Sequence, residues 1–381
     1  MLCLNINILN NMNYLFAIWT RTPEDYFFIK EFIYFLKKKK INSTIVFQKK
    51  DNIKKNNFIK NNTKEIFSSK NKLINIIFYW YFLIYISFLV IIKKPKKVYF
   101  YDSYSLLSIL FFKPFYSGKI IYHNFDYNPH THSFSQKFLT FFEKYLSKYL
   151  EIIIFSNEKR GRLFRSFSKI KKSKILTIYN CLSKKNTKRR IKNFTKKKLL
   201  FRIGSIGPNH SLKNLIISMK YLSDDYTLLL CGKITDNDYY TQIKKLIISN
   251  DLVNKVKIKT SVKNNYWRKK LNIADIGVAL YENSRNNISH KYMCGASQKI
   301  NAYLSSSLPL LVSNDKQYVD LNKRYKCCIN VNIKDPYDIS KSIKKIFSSK
   351  KKYVRLRNNS HEAFLKEFNF EKQIDKIKNY I

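Results

Sequence analysis

Acidic residues are scarce in this sequence, and their scarcity sets its charge. Asp and Glu together number 25 among 381 residues, against 73 Lys and Arg, so the formal net charge is +48. An excess of this size favours an anionic partner, such as nucleic acid or a membrane surface. The cations are spread through the chain, however, and Lys, Asn, Ile, Phe and Tyr are abundant together while Gly numbers only 7. We therefore attribute the charge to a bias in coding composition, with an anionic membrane as the favoured partner and no nucleic acid.

Paired cysteines are also lacking, which bears on metals and on redox state. The six cysteines include no Cys-x-x-Cys pair, and none stands near a histidine at the spacing of zinc ligands. We expect reduced thiols in a cytosolic protein and no metal site. The amino terminus has no basic segment followed by a cleavage site, so we expect no signal peptide and regard Met12 as a candidate start.

Short apolar runs alternate with amphipathic stretches along the whole chain. Tyr14–Trp19 is an apolar strand, Tyr26–Lys40 has helical spacing, and Thr44–Gln48 is a further strand. Because such alternation forms parallel strand pairs, it predicts α/β domains, and the length favours two of them. We place the first domain at 12–182, a basic linker at 183–198, the second domain at 199–355, and a terminal helix or pair of helices at 356–381.

Two turns in the second half are predicted to bind an anion. A buried strand and a loop precede the helix Gln298–Ser305, whose first turn contains Lys299. Free amides at a helix start and a nearby cation together form an anion site. The glycines of Gly204–Gly207 allow backbone amides to approach a phosphate at another helix start. Because both turns lie at one edge of a sheet, they predict a diphosphate site, with a nucleotide base beside Gly232 or Tyr281.

The stretch Leu73–Ile92 contains no charged residue and is followed by four lysines around Pro95. Its length meets the rule for a membrane-spanning helix. Three alternatives remain open: a true span, a helix lying on the membrane surface with help from the lysines, and a buried core helix. A span is the least favoured, because it would put two halves of one sheet on opposite sides of a bilayer. The polar stretch Lys49–Lys72 predicts a surface loop with a short helix.

Three segments of the second half carry a family resemblance. They read FRIGSIGPNHSLKNLIISMKYL, LNIADIGVALY and ASQKINAYLSSSLPLLVSND, in that order. Their order and spacing resemble the nucleotide-sugar domain of the group 1 (family 4) glycosyltransferases over roughly Leu199–Ser313. The first half matches in pattern only, and the end of the chain is similar to the family's terminal helix that crosses back to the first domain. The resemblance implies the GT-B fold: two Rossmann-like parallel-sheet domains facing a central cleft.

The resemblance also implies an activity and donor contacts. It implies metal-independent transfer of a hexose or related sugar, with the nucleotide-sugar as a substrate and no cofactor. Lys299 and Tyr303 fall on the lysine and tyrosine of the family's donor-site motif, and Gly204 falls on the glycine of its phosphate turn. The further donor-binding candidates around them are Ser205, His210, Gly232, Glu282 and Ser297.

Several polar residues of the family's donor site are missing. The ribose-binding glutamate falls on Ala302, and its partner glutamate falls on Cys294. The basic residue after the first glycine falls on Ser205, and the usual loop lysine falls on His210. Three hypotheses remain: a different grip on the donor, weak activity, or an inactive paralogue. Glu282 and Arg285 are candidate partial substitutes.

Polar residues at strand ends of the first domain are candidates for the acceptor side. We expect the strand Lys119–Tyr122 to deliver His123 and Asp126 into a loop that faces the cleft. A histidine there can act as a general base or contact a sugar, so we take both as catalytic candidates. Arg21, at the end of the first strand, is a candidate contact for the diphosphate or for an acceptor lipid.

Together these features predict a glycosyltransferase that acts on a saccharide or lipid-linked acceptor. We expect it to function in the synthesis of a cell-surface polysaccharide such as lipopolysaccharide. We further expect it in the cytoplasm, peripheral on the inner face of the plasma membrane. The alternative is a catalytically inactive glycosyltransferase-like binding subunit, which Ala302 and Cys294 favour.

Overall fold

The computed structural model of the chain divides into two units by internal contacts, Met1–Ile178 and Tyr179–Ile381. The residues it describes are 12–20, 22–23, 26–49, 63–67, 71–125, 127, 134–187, 194–260, 264–282 and 291–380. Residues 179–182, which the sequence pattern assigned to the first domain, bond to the second unit. The Tyr179 N–H donates to Gln373 Oε1 at 3.0 Å, and the Phe370 N–H donates to the Leu182 carbonyl at 2.9 Å.

The first unit is a parallel α/β sheet. Its strands are β1 (Tyr14–Ile18), β2 (Ser43–Lys49), β3 (Thr63–Phe67), β4 (Lys97–Phe100), β5 (Lys119–Asn124), β6 (Ile152–Phe155) and β7 (Ile175–Thr177). Its described helices are α1 (Phe27–Lys38), α2 (Lys72–Lys93), α3 (Ser103–Leu106), α4 (Ile109–Phe112), α5 (Phe134–Leu146) and α6 (Glu158–Ser168). The strand order is β3-β2-β1-β4-β5-β6-β7, so the connections diverge between β1 and β4. In open sheets of this kind a ligand crevice forms at the carboxyl ends of the two diverging strands.

Two predictions for the first unit were wrong. The predicted surface loop at Lys49–Lys72 contains the strand β3, in which three consecutive polar residues precede the buried Ile66. An edge strand with one apolar face carries too weak a pattern to stand out in a polar stretch. The predicted loop residue His123 lies inside β5, paired with Ile154 of β6, because the strand runs two residues longer than its apolar core.

The helix α2 is long and apolar enough to cross a membrane by its length and its mean hydropathy of 2.1. The Asn71 side chain caps its start, and Lys94 ends it in the left-handed conformation at φ 42°. One face, including Phe82, Ile86 and Val90, is buried in the core of the first unit. The opposite face exposes apolar side chains, so the helix has one face in the core and one face in contact with solvent. The buried face argues against a true span, because inserting α2 would strip it from the sheet.

The second unit repeats the architecture with six parallel strands. These are β8 (Lys198–Ile203), β9 (Tyr226–Cys231), β10 (Val256–Lys259), β11 (Ile276–Ala279), β12 (Leu310–Ser313) and β13 (Cys328–Val331). The described helices are α7 (Leu212–Ser218), α8 (Asn237–Ser249), α9 (Asn264–Ile273), α10 (Gln298–Ser305), α11 (Lys316–Tyr325), α12 (Pro336–Ile346), α13 (Lys350–Lys366) and α14 (Phe370–Asp375). The strand order is β10-β9-β8-β11-β12-β13, which puts the switch point between β8 and β11. The end of the chain forms two helices, α13 and α14, and the Asn369 side chain caps the second.

Candidate active site

The turn after β8 is built on two glycines that touch. Gly204 has φ +116°, a region that side chains rarely adopt. A Cβ on Gly232, at the end of β9, would lie 1.8 Å from the Gly204 carbonyl oxygen. The Gly204 N–H donates to the Cys231 carbonyl at 3.0 Å. Gly232 therefore supports the turn through close backbone packing, which leaves Gly204 facing the crevice.

Lys299 lies directly beside this turn. A Cβ on Gly204 would lie 3.3 Å from Lys299 Nζ, so the structure brings the two predicted anion-binding turns together. Ser297 caps α10 by accepting the Ile300 N–H at 3.3 Å, and its Oγ lies 2.7 Å from the Tyr281 hydroxyl. The Lys299 ammonium stands 4.5 Å from the Tyr281 ring centroid. This end of the helix is thus held rigidly at the switch point.

Arg202 is the site residue that the sequence reasoning missed. It is 2% exposed, and its Nη1 donates to the Gly204 carbonyl. Its buried Nη2 has no hydrogen-bond partner among the described residues. Burial lowers the pKa of the Lys299 ammonium well below its usual range, and the charge of Arg202 lowers it further. An arginine within the apolar run Leu199–Ile203, two residues before a glycine, is the signal that would have found it.

These two cations, Arg202 and Lys299, have no compensating carboxylate in the described part of the chain. Burying uncompensated charge is costly, and two cations at one sheet edge repel each other. An anion bound against Gly204 would remove both costs. This pair is therefore the strongest indication of a ligand in the second unit.

Tyr303 holds the switch point open. The strands β8 and β11 pair only at Leu200 and Phe201. Beyond that point the Tyr303 hydroxyl accepts the Ile203 N–H at 2.9 Å and donates to the Val278 carbonyl at 3.3 Å. The fully buried side chain therefore bridges β8 and β11 and keeps the two strands apart beyond Phe201. The predicted donor contact by Tyr303 stays a prediction.

Glu282 organises the loop that starts α7. Its Oε1 accepts the Ser211 N–H at 3.0 Å and lies 3.2 Å from the Ser211 hydroxyl, and its own N–H donates to the Asn209 carbonyl at 3.1 Å. Asn209 and Ser211 both have positive φ, so the carboxylate stabilises a strained loop. His210 packs edge-on against the Tyr281 ring at 5.7 Å, whereas Ser205 is exposed.

A pocket of about 720 Å³ opens beside Tyr281. It lies at the carboxyl ends of β11, β12 and β13 and is lined by residues that follow these strands and by α7. The lining residues are Ser211, Asn214, Tyr281, Glu282, Ser313, Asn314, Asp315, Val331, Asn332, Ile333 and Lys334. Its volume falls within the range of ligand sites, about 300–1,000 Å³. Because Tyr281 both lines the pocket and underlies Lys299, the cation pair and the pocket adjoin.

The predicted catalytic residues of the first unit are placed only in part. His123 is 1% exposed, and its Nδ1 lies 2.9 Å from the Tyr99 hydroxyl. Burial lowers the pKa of His123 to about 3, so the ring is neutral at physiological pH. Asp126 and Arg21 lie outside the described residues. Within the described part of the chain, no group of three His, Cys, Asp or Glu residues has the geometry to hold a metal ion.

Residues 183–363 match the family described as glycosyl transferases group 1. This range includes Arg202, Gly204 and Lys299, and it omits the first unit. No curated protein matches the sequence.

Solved structures resemble the whole chain. The Anabaena protein HepE, in complex with UDP and glucose, has a TM-score of 0.71 at 10% identity and covers 96% of this chain and 98% of its own. Sucrose-phosphate synthase from Thermosynechococcus elongatus has a TM-score of 0.72 at 12% identity, with coverage of 96% and 98%. The lipopolysaccharide outer core galactosyltransferase WaaB has a TM-score of 0.65 at 13% identity, with coverage of 97% and 100%. The predicted fold, GT-B with two parallel-sheet Rossmann-like domains, is confirmed.

Proposed function

We propose that this chain, which belongs to the group 1 glycosyltransferases and has the GT-B fold, transfers a sugar from a nucleotide-sugar donor to a saccharide or lipid-linked acceptor. One observation carries the proposal: Arg202 and Lys299 converge on Gly204 without a carboxylate partner among the described residues. A nucleoside diphosphate supplies the missing negative charge. The rest of the donor enters the pocket beside Tyr281.

The cation pair accounts for the chemistry. As the glycosidic bond of the donor breaks, negative charge develops on the departing diphosphate. Cations and oriented amides fixed before the reaction stabilise that charge at little reorganisation cost. Lys299 and Arg202 are fixed in this way, one by a capped helix start and the other by its bond to the Gly204 carbonyl. We infer that transfer proceeds without a metal ion, because protein cations supply the charge.

The similar structures favour a particular donor and pathway. HepE is described as bound to UDP and glucose, and WaaB is described as a lipopolysaccharide galactosyltransferase. We therefore favour a UDP-hexose as donor and a cell-surface glycan as product.

A thermal-shift screen tests the donor site, and a release assay tests turnover. UDP-, GDP-, CMP- and dTDP-sugars would each be added to the protein, with UDP-hexoses expected to raise the melting temperature. Slow release of the nucleoside diphosphate should accompany binding in the presence of acceptor glycans. If none of the nucleotide-sugars shifts the transition, the proposed donor site is wrong.

An inactive binding subunit is the second candidate. The resemblance places ribose-binding glutamates where the chain has Ala302 and Cys294, and both residues are buried. Neither side chain can accept the charge-assisted hydrogen bonds that a glutamate offers a ribose. Binding of a nucleotide-sugar with no diphosphate release across the acceptor panel would favour this candidate over the enzyme.

We also propose that the first unit docks on an anionic membrane from the cytoplasmic side. The exposed face of α2 carries Leu73, Ile77, Trp80 and Ile84, which are 72%, 66%, 50% and 59% exposed. Trp80 continues the apolar surface to Phe111 of α4, with ring centroids 6.4 Å apart.

Two lysines lie beside the α4 end of this apolar surface and favour a bilayer as its partner. Leu110 of α4 and Tyr145 of α5 line one shallow pocket together with Lys113. The ammonium of Lys148 lies 4.2 Å from the Tyr145 ring centroid, at the same end of α5. An apolar face with cations at its border is typical of surfaces that lie in the interface of anionic lipids.

A further inference from the structure

A second pocket lies in the first unit, at its own switch point. It has a volume of about 260 Å³ and is lined by residues that follow β1, β4 and β5 and by one side of α5. The lining residues are Thr20, Tyr26, Tyr101, Asp102, Ser103, Tyr104, Asn124, Phe125, Tyr127, Gln136, Leu139, Thr140 and Glu143. Ligand crevices of open α/β sheets form at this position.

The charge of this pocket is opposite to that of the chain. The sequence has 73 cations and 25 acidic residues, yet the described lining includes two carboxyl groups and no Lys, Arg or His. Five of its residues are aromatic, and the others include two amides, hydroxyls and the two carboxyls. Aromatic walls with a few placed polar groups are typical of sites for small organic ligands. When ionised, the carboxyl groups repel an anionic ligand, which disfavours a phosphate or a nucleotide here.

Asp102 is occupied by the fold. Its Oδ2 accepts the N–H groups of Trp19 and Thr20 at 2.6 and 2.9 Å, and its Oδ1 accepts the Ser105 N–H at 2.7 Å. These bonds tie the end of β1 to the start of α3. Asp102 therefore shapes the pocket and has little capacity left for a ligand.

Glu143 is available to a ligand. It is 3% exposed, and its Oε1 accepts from the Tyr122 hydroxyl and from Asn124 Nδ2, the latter at 2.6 Å. No described residue donates a hydrogen bond to its Oε2. The Tyr127 hydroxyl, which lines the same pocket, is buried and has no partner among the described residues. An acceptor with no described donor and a buried donor with no described partner, both lining one pocket, indicate a ligand that has both kinds of group.

We propose that this pocket binds the sugar unit of the acceptor that is about to be extended, and that it selects a neutral or amino sugar over an acidic one. The inference rests on the proposed glycosyl transfer and names the acceptor class. Glu143 Oε2 accepts a hydrogen bond from a sugar hydroxyl or ammonium, and the Tyr127 hydroxyl donates one. The aromatic residues contact the C–H face of the sugar ring. When Glu143 is ionised, a uronic acid or a phosphorylated sugar is rejected, because its negative charge lies beside the carboxylate.

Saturation-transfer NMR at pH 8, where the Glu143 carboxyl is mostly ionised, tests the proposal. The probes are a panel of neutral methyl hexosides, methyl glucosaminide and methyl glucuronide, each added to the full-length protein. We expect signals from at least one neutral or amino hexoside and none from the glucuronide. Glu143→Gln should weaken hexoside binding about tenfold, the cost of a lost charge-assisted hydrogen bond. Gln136→Ala, at the exposed rim of the same pocket, should weaken it without any effect on folding.

The donor-site variant Lys299→Ala separates this inference from the proposed function. It should bind hexosides as the native protein does while losing affinity for UDP. Equal binding of glucuronide and neutral hexosides overturns the inference, as does unchanged hexoside binding by both Glu143→Gln and Gln136→Ala. If the native protein binds hexosides but not UDP, the proposed donor site is wrong and the proposed acceptor pocket is supported. If it binds UDP but no hexoside, the proposed acceptor pocket is wrong and the proposed donor site is supported.

Discussion

At the scale of single residues, charges decide the chemistry of both switch points. In the second unit, Arg202 and Lys299 are held close together without a carboxylate among the described residues. In the first unit, Glu143 and Asp102 line a pocket that lacks cations among its described residues. Buried groups with these arrangements are typical of functional sites, because folding alone would favour their neutralisation.

Replacing Lys299 should weaken donor binding without unfolding the chain. Lys299→Ala removes one charge-assisted contact to the diphosphate, which corresponds to about 1–3 kcal/mol of binding free energy. Titration calorimetry with UDP measures the loss. Lys291→Ala, which removes a half-buried lysine a few residues earlier, is the matched control and should bind UDP normally. Equal affinities for the two variants would place the diphosphate elsewhere.

Replacing Glu143 should change how stability depends on pH. Burial raises the pKa of the Glu143 carboxyl from 4.5 to about 7, so the folded protein holds a proton that the unfolded chain releases. The native protein therefore loses stability as pH rises through this window, by up to about 3 kcal/mol. Glu143→Gln has no such proton. Its free energy of unfolding, relative to that of the native protein, should therefore increase between pH 5 and pH 8.

Urea denaturation at the two pH values checks this prediction. His123 contributes in the opposite sense: burial lowers its pKa from 6.5 to about 3, and its contribution to stability is lost as pH falls through that range. His123 is present in both proteins, so it cancels from the comparison. A constant difference between the two proteins from pH 5 to pH 8 would contradict a raised pKa at Glu143.

At the scale of elements, α2 has one buried face and one exposed apolar face. Its buried face packs in the first unit's core, and its exposed face repeats apolar residues at helical spacing. Apolar residues occur all around this helix, so its sequence resembles that of a membrane span. Only the packing of Phe82, Ile86 and Val90 distinguishes the face that supports the fold from the face that is free to meet a membrane.

Polar substitution of the exposed face of α2 should abolish vesicle binding. The triple variant Ile77→Ser, Trp80→Ser and Ile84→Ser removes three half- to two-thirds-exposed apolar side chains. Each contributes about 1–3 kcal/mol of apolar burial when inserted in the interface. Sedimentation with phosphatidylserine vesicles should fall from nearly complete to background. Far-ultraviolet circular dichroism should be unchanged, whereas Phe82→Ser, on the buried face, should destabilise the fold. Undiminished sedimentation of the triple variant would exclude α2 as the docking helix.

At the scale of the whole molecule, the net charge of +48 governs association. Exposed charges act over about 10 Å at 0.1 M salt and over much less at 1 M. We expect the affinity for anionic vesicles to fall at least about tenfold between 0.05 M and 0.5 M NaCl. The affinity for UDP should change less, because Arg202 is buried and Lys299 is half-buried. Co-sedimentation and calorimetry at both salt concentrations measure the two trends. Vesicle binding that is indifferent to salt would assign the whole interaction to the apolar face.

The sequence by itself determined the local features. Apolar runs of strand length between amphipathic segments predict two parallel sheets, because side-chain periodicity depends on neighbouring residues only. The turns at Gly204 and Lys299 were found because glycine and a helix start act through local backbone geometry. The edge strand β3 escaped notice because its pairing with β2 is not local.

Tertiary structure alone decided which polar groups meet. Arg202 became a site residue when β8 and α10 converged, and Glu143 became one when α5 packed beside β5. His123, which the sequence placed in a loop, is buried in the structure and packs against aromatic residues such as Tyr101. The free energy of a charge depends on the solvent and the partners that packing leaves to it, and residues distant in sequence supply both.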